Sequence, residues 1–146
     1  MAITSAVCNS FKQEILEAEH NFTASSGNTF NLALYTSSAT INKSTTAYSS
    51  TNEISNTSGS AYSAKGNALT SVTPVLDSDT AVCDFANTSW TSASFTANGC
   101  LIFNDSHSSD AAVCTIAFGG DKTVTSGTFT IEFPAAAAST AIIQIA

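Results

Sequence analysis

Two histidines, four cysteines and eleven carboxylates are the groups of this 146-residue chain that could do chemistry. Their spacing decides which chemistry. Nucleophilic catalysis needs a serine, a base and an acid held together, and serine is plentiful. His20 stands at the end of an N-terminal apolar stripe, and His107 sits in the polar run Asp105-Ser106-His107-Ser108-Ser109-Asp110. The chain has no G-x-S-x-G elbow, so both are expected to be surface histidines and no catalytic residue is assigned. Asp77 and Asp79 share a turn pattern in which aspartate bonds its own backbone, which gives no support to a pair of glycosidase acids. Asp105 and Asp110 lack the glutamate that completes an EF-hand, so a calcium loop is not expected.

Cys8, Cys83, Cys100 and Cys114 contain no close C-x2-C pair, so no structural zinc site is expected and no metal ligand is assigned. The last three fall in apolar strand-like runs, where a thiol behaves as a small buried hydrophobe. Gly119-Gly120-Asp121-Lys122 follows a strand pattern but opens no helix, which argues against a phosphate loop and leaves no cofactor assigned. Five N-x-[ST] triplets arise by chance in so hydroxyl-rich a chain and are not read as glycosylated. Tyr35, Tyr48, Tyr62 and Trp90 are the side chains that could stack on a sugar ring, although Trp90 is read first as a sandwich anchor.

The elements that must position these groups follow from periodicity. Ile3, Val7, Phe11, Ile15, Ala18 and Phe22 recur every three or four residues, which predicts an amphipathic helix in residues 1–24, capped by Thr4 or Ser5. Its stripe has to pack on the chain's own sheets or on a neighbouring chain. From Thr29 the period becomes two, and Phe30, Leu32 and Leu34 predict a half-buried strand. The Ser/Thr/Asn-rich stretch from Thr36 to Ser60 reads as a long, mostly solvated loop that stays ordered only by docking on a surface. Six further strands are expected at Ala68 to Leu76, Thr80 to Phe85, Ser94 to Asn104, Ala111 to Phe118, Thr128 to Phe133 and Ala141 to Ile145. Turns are expected at 77–79, 87–89, 104–106 and 119–122. Pro74 and Pro134 must lie at strand ends or edges. The expected fold is mainly β: one domain, residues 1–146, with an antiparallel β-sandwich or jelly roll over 28–146 and the helical segment before it.

Composition narrows the function classes. Four lysines, no arginine and a net charge of −7 exclude phosphate-backbone binding as the main task, so no nucleic-acid partner is expected. With 23 serines and 21 threonines the surface is hydroxyl-rich. No apolar run approaches a membrane span, and the first residues carry no signal-peptide pattern, so a chain made and kept in a cytosol is expected.

Longer strings carry a resemblance. The opening Met1 to Glu14, His20-Asn21-Phe22, Phe30 to Thr40, Thr45-Thr46-Ala47-Tyr48, Asn52-Glu53, Gly66-Asn67-Ala68-Leu69, Phe85 to Trp90, Asp121-Lys122-Thr123 through Phe133-Pro134, and Ala141 to Ala146 follow one another in order. Together they resemble small virion structural proteins of tailed bacteriophages, including phages of marine bacteria and cyanobacteria. Asn98 stands where that pattern has arginine. The resemblance implies a non-enzymatic capsid decoration, or cement, protein, made in the host cytoplasm. It would sit on the capsid surface as a homotrimer bound to the major capsid protein, with no cofactor and no membrane. Val7, Phe11, Ile15 and Phe22 of the stripe, with Tyr35, Tyr48 and the 36–60 loop, are the candidate interface. The alternatives are a tail, neck or fibre component that touches host glycans through Tyr35, Tyr48 or Trp90, and a depolymerase-like hydrolase.

Overall fold

Alternating and continuous apolar runs give this chain two antiparallel sheets that share one core. The computed structural model describes residues 2–55 and 57–146. In chain order the elements are β1 (Ala6–Val7), α1 (Asn9–Leu16), β2 (Phe30–Tyr35), β3 (Asn67–Ala68), β4 (Ser71–Asp77), β5 (Thr80–Phe85), β6 (Thr88–Asn104), β7 (Ala111–Ile131) and β8 (Ile143–Ile145). The larger sheet has the order β1-β7-β6-β2-β3 and the smaller β4-β5-β8. The fold is mainly β with one short helix, as the periodicity predicts, and is consistent with a β-sandwich.

The backbone of the larger sheet is the β6/β7 hairpin, paired from Thr88↔Ile131 to Asn104↔Ala111. Trp90, Ala93, Phe95 and Ala97 of β6 are buried on one face. Between Ala97 and Gly99 the register shifts, and Gly119 and Gly120 take φ of +74° and +143° opposite this shift. The glycines expected to reverse the chain therefore form an irregularity inside one 21-residue strand, and the two strands expected on either side of them are one. Pro74 lies in β4, an edge strand, within the register shift between Val72 and Val75, where its missing N–H costs no ladder bond.

Two further expectations need correction, beside the strand expected over 68–76, which is split between β3 of the larger sheet and β4 of the smaller. The helix spans only Asn9–Leu16, not the whole of residues 1–24. Upstream, Ala6 and Val7 pair with Thr115 and Cys114, Ile3 bridges Ile41, and Ser5 Oγ accepts from Ala117 N–H instead of capping a helix. Downstream, Ala18 turns left-handed at φ 61° and ends the helix. The spacing misled because extended and helical segments in succession can both aim their apolar residues inward. The second correction concerns β2, which is buried on both faces, not one. β3 covers only Asn31 and Leu32, so the rest of its outer edge needs other partners. Ile54 N–H donates to Leu34 O, Leu34 N–H to Tyr62 Oη, and Leu69 N–H to Phe30 O. The 36–60 loop docks there, burying Ala39, Ile41 and Ile54.

The four thiols are free and buried. Burial pushes Cys8 up to about 11 and Cys83 up to about 12, and holds Cys100 and Cys114 above the ordinary thiol range. Because the thiolate is the reactive form, native protein at about pH 8 is expected to leave all four unreacted with Ellman's reagent over minutes. Denaturant should release four equivalents. A fast-reacting thiol in the native state would place at least one cysteine outside the core.

Candidate functional site

The sequence-predicted interface residues divide between core and surface. Phe11, Phe22 and Tyr35 are 2%, 7% and 1% exposed, so they face the chain's own core and present nothing to a partner. Val7 and Ile15 are half-buried and line a groove of about 330 Å³ between α1 and β8, with Leu16, Ile143 and Ile145. Leu16 is 88% and Ile145 54% exposed, making this groove an apolar surface. Its one charged lining group is Lys12. A second apolar surface is the edge strand β4, where Val72, Val75 and Leu76 are 43%, 54% and 74% exposed. Spacing could not single out either surface, because Leu16 stands off the apolar stripe and β4 reads as an ordinary buried strand.

Of the four side chains that could stack on a sugar ring, Tyr35, Tyr62 and Trp90 are buried. Trp90 is buried between Tyr62, Phe95 and Phe129 at centroid distances of 5.9, 6.2 and 6.1 Å. Tyr48, half-buried, stacks on Phe103 at 4.8 Å. Trp90 is thus the sandwich anchor expected, and Tyr62 reaches past it to a carboxylate.

That carboxylate is Glu53, which fastens the long loop. Its Oε1 accepts from Tyr62 Oη and Lys65 N–H, each at 2.7 Å, and its Oε2 accepts from Tyr48 Oη at 2.6 Å. Lys65 Nζ continues to Asp105 Oδ1 at 2.8 Å and Asp110 Oδ2 at 2.9 Å in the β6/β7 turn. Asp105 and then Asp110 raise the Lys65 ammonium above its ordinary range. The cluster joins three loops and leaves no free base or nucleophile. The sequence signal was slight: Glu53 is one acid in a Ser/Thr stretch, flanked by two tyrosines.

The tyrosines give this cluster an alkaline limit. Burial first, then the bond to Glu53, raises Tyr48 to about 12, and burial holds Tyr35 and Tyr62 higher still. An unfolded tyrosine ionises near pH 10, so the stabilisation is complete below about pH 10 and is lost as pH rises further. Absorbance at about 295 nm should show none of the three phenols ionised at pH 10.5, then release of Tyr35 and Tyr62 together with unfolding. A phenol titrating near 10 in the folded protein would sink this reading.

Both histidines lie in a second cluster. His20 was expected at the surface, but its side chain is fully buried, against Phe11 at 4.9 Å. Its Nε2 is 2.8 Å from Glu14 Oε2 and its Nδ1 is 3.1 Å from Asn104 Nδ2. Only the fold brings these partners together, across 84 residues in the case of Asn104. His107 Nδ1 lies 2.9 Å from Ser109 Oγ, and its Nε2 is 3.7 Å from Glu19 Oε2. This has the composition of a serine, base and acid set. Its geometry is that of a turn, because Nδ1 also accepts from Ser109's own backbone N–H at 3.2 Å and is not free to take the hydroxyl proton.

The class these features define is a mainly β chain with two antiparallel sheets, internally fastened loops and two apolar surfaces on an acidic body. Its sequence matches no family model and no curated protein, and its fold matches no solved structure.

Proposed function

We propose that this chain is a non-enzymatic structural protein of a tailed-phage virion, specifically a capsid decoration protein that binds the major capsid protein as a homotrimer. The virion assignment rests on the strings quoted from Met1 to Ala146. The observation that carries a contact role is the pair of apolar surfaces, the α1/β8 groove with Leu16 and the β4 edge with Leu76. Repeated by symmetry, two such surfaces can bridge neighbouring subunits through many weak contacts. No described helix is long and apolar enough to cross a membrane. The glycan-adhesin alternative loses two of its three stacking residues, since Tyr35 and Trp90 are 1% and 4% exposed, and keeps only Tyr48, half-buried against Phe103.

Immunogold microscopy of purified virions, with antibody against the folded chain, tests location first. Gold spread regularly over the head supports the reading. Gold at the collar or tail tip replaces it with a neck or tail role, and unlabelled particles overturn the virion assignment. The surfaces are tested by Leu16→Asp and Leu76→Asp, both at exposed positions where folding should survive. Each is expected to weaken binding to undecorated heads about tenfold or more, and normal decoration by both variants would remove these surfaces from the contact.

A further inference from the structure

We propose that His20 and His107 form an acid-sensitive latch that fastens residues 17–29 to the β6/β7 turn. The hydrogen-bond donors around the two rings carry the inference. Asn104 is oriented by its neighbours: Ser106 N–H donates to its Oδ1 at 3.0 Å, and its Nδ2 donates to Glu19 O at 3.3 Å. The amide therefore presents a donor to His20 Nδ1, which must accept. The ring proton then sits on Nε2, aimed at Glu14 Oε2. His107 repeats the pattern, because Ser109 N–H can only donate to its Nδ1, leaving Nε2 to carry the proton toward Glu19. The two rings stack at 6.3 Å and 21°.

A second proton has only Nδ1 to occupy: at His20 it meets the Asn104 N–H already there, and at His107 it meets the Ser109 backbone N–H and only a rotated Ser109 hydroxyl can accept it. Relief at His20 requires turning the Asn104 amide, which breaks its bonds to both Ser106 and Glu19. Two stacked imidazolium rings also repel each other. Glu14 and Glu19 act the other way by attracting the cation. The Glu14 bond exists with the neutral ring and strengthens with the charge, but it ties His20 to α1 and not to the β6/β7 turn, and the Glu19 side chain is 50% exposed and screened by solvent. The other charged groups on the elements around the rings are Lys12 and Glu17 at α1, Asp84 beside Phe85 in β5, and Asp105 and Asp110 in the turn, the last two held by Lys65. β2 contributes none. Acid therefore weakens the hold of Asn104 on Glu19 and His20 and exposes Phe22, which stacks on Phe30 at 4.2 Å.

Imidazole nitrogen NMR of the wild-type chain at about pH 7.5 should show both rings protonated on Nε2 with Nδ1 accepting. Amide exchange, corrected for its intrinsic pH dependence, should quicken about tenfold in residues 17–29 and 104–110 between about pH 7.5 and 5 while β2 and β6 stay protected. Asn104→Asp places an acceptor at Nδ1 and should reverse the trend, protecting the segment better at the lower pH. An Nδ1–H tautomer in either ring, or equal protection of the wild-type segment at both pH values, would overturn the latch, whether or not the variant folds.

Discussion

A Gly66→Ala variant is expected to unfold at room temperature, or to survive with its melting temperature lowered by roughly 10 °C or more. Gly66 closes the Ser63–Gly66 turn with an N–H donated to Ser63 O, directly after Lys65 at φ 71°. Its own φ is +66°, a conformation that costs an L residue about 1 to 2 kcal/mol. The larger effect is steric. A Cβ there would overlap the Leu32 carbonyl oxygen and stand 2.8 Å from Leu32 C and 3.0 Å from Ala33 Cα. These are backbone atoms of β2, which pairs with β6 through Leu32↔Ile102 and Ala33↔Leu101, so they cannot retreat without breaking the central ladder. Moving Gly66 instead drags Lys65 away from Glu53, Asp105 and Asp110. A cost above about 3 kcal/mol is a large part of the 5 to 15 kcal/mol that holds an ordinary domain. Gly59 is the control: its φ is +87° but nothing lies within 4 Å of an added Cβ, so Gly59→Ala should lose only about 1 kcal/mol. Guanidinium unfolding followed by Trp90 fluorescence would separate the two. A Gly66→Ala midpoint close to that of Gly59→Ala would show that β2 yields at little cost.

What was legible in the sequence was whatever depends on near neighbours. The alternation of Phe30, Leu32 and Leu34, the Asp77-Ser78-Asp79 turn between β4 and β5, and the edge position demanded by Pro74 are local signals, and each has its place in the fold. The failures share a cause. Ile3, Val7, Phe11 and Phe22 fit one helix by spacing, yet β7 offers Ala6 and Val7 an open edge, and a strand edge outcompetes the start of a helix. Gly119-Gly120 has the composition of a turn, but the pairing of β6 with β7 on both sides of it holds it as an irregularity within one strand. The polar clusters were hidden for the same reason. Glu53 meets Tyr62 nine residues on, within reach of a local reading, but Asn104 meets His20 across 84 residues and Lys65 meets Asp110 across 45. A residue's type gives its capacity to bond, and only topology supplies the partner. The same holds for the candidate contacts: large aromatic residues in the apolar stripe became core, and Leu16, off the stripe, became surface.

Phe30→Ala is expected to cost about 3 to 5 kcal/mol and lower the melting temperature by about 10 °C. Phe30 is fully buried at the point where three parts of the molecule meet. Its ring stacks on Phe22 of the N-terminal segment at 4.2 Å and 4°, and lies 5.9 Å from Phe85 of β5 in the smaller sheet. His20 stands 6.3 Å away on the segment that carries Phe22. Truncation removes the transfer free energy of the ring and leaves a cavity whose lining comes from both sheets. Collapse could fill it only by moving one sheet toward the other, and the Phe85–Phe133 contact at 5.6 Å resists that. The loss should therefore be spread unevenly, with amides of β4, β5 and residues 17–29 losing more protection than those of the β6/β7 hairpin. Phe30→Leu keeps most of the volume and should recover more than half of the loss. If Phe30→Ala instead costs no more than Leu16→Ala, a change at a side chain 88% exposed, then the two sheets are not coupled through this ring. In that case the smaller sheet must be held by other residues of the shared core, Cys83 and Ile143 among them.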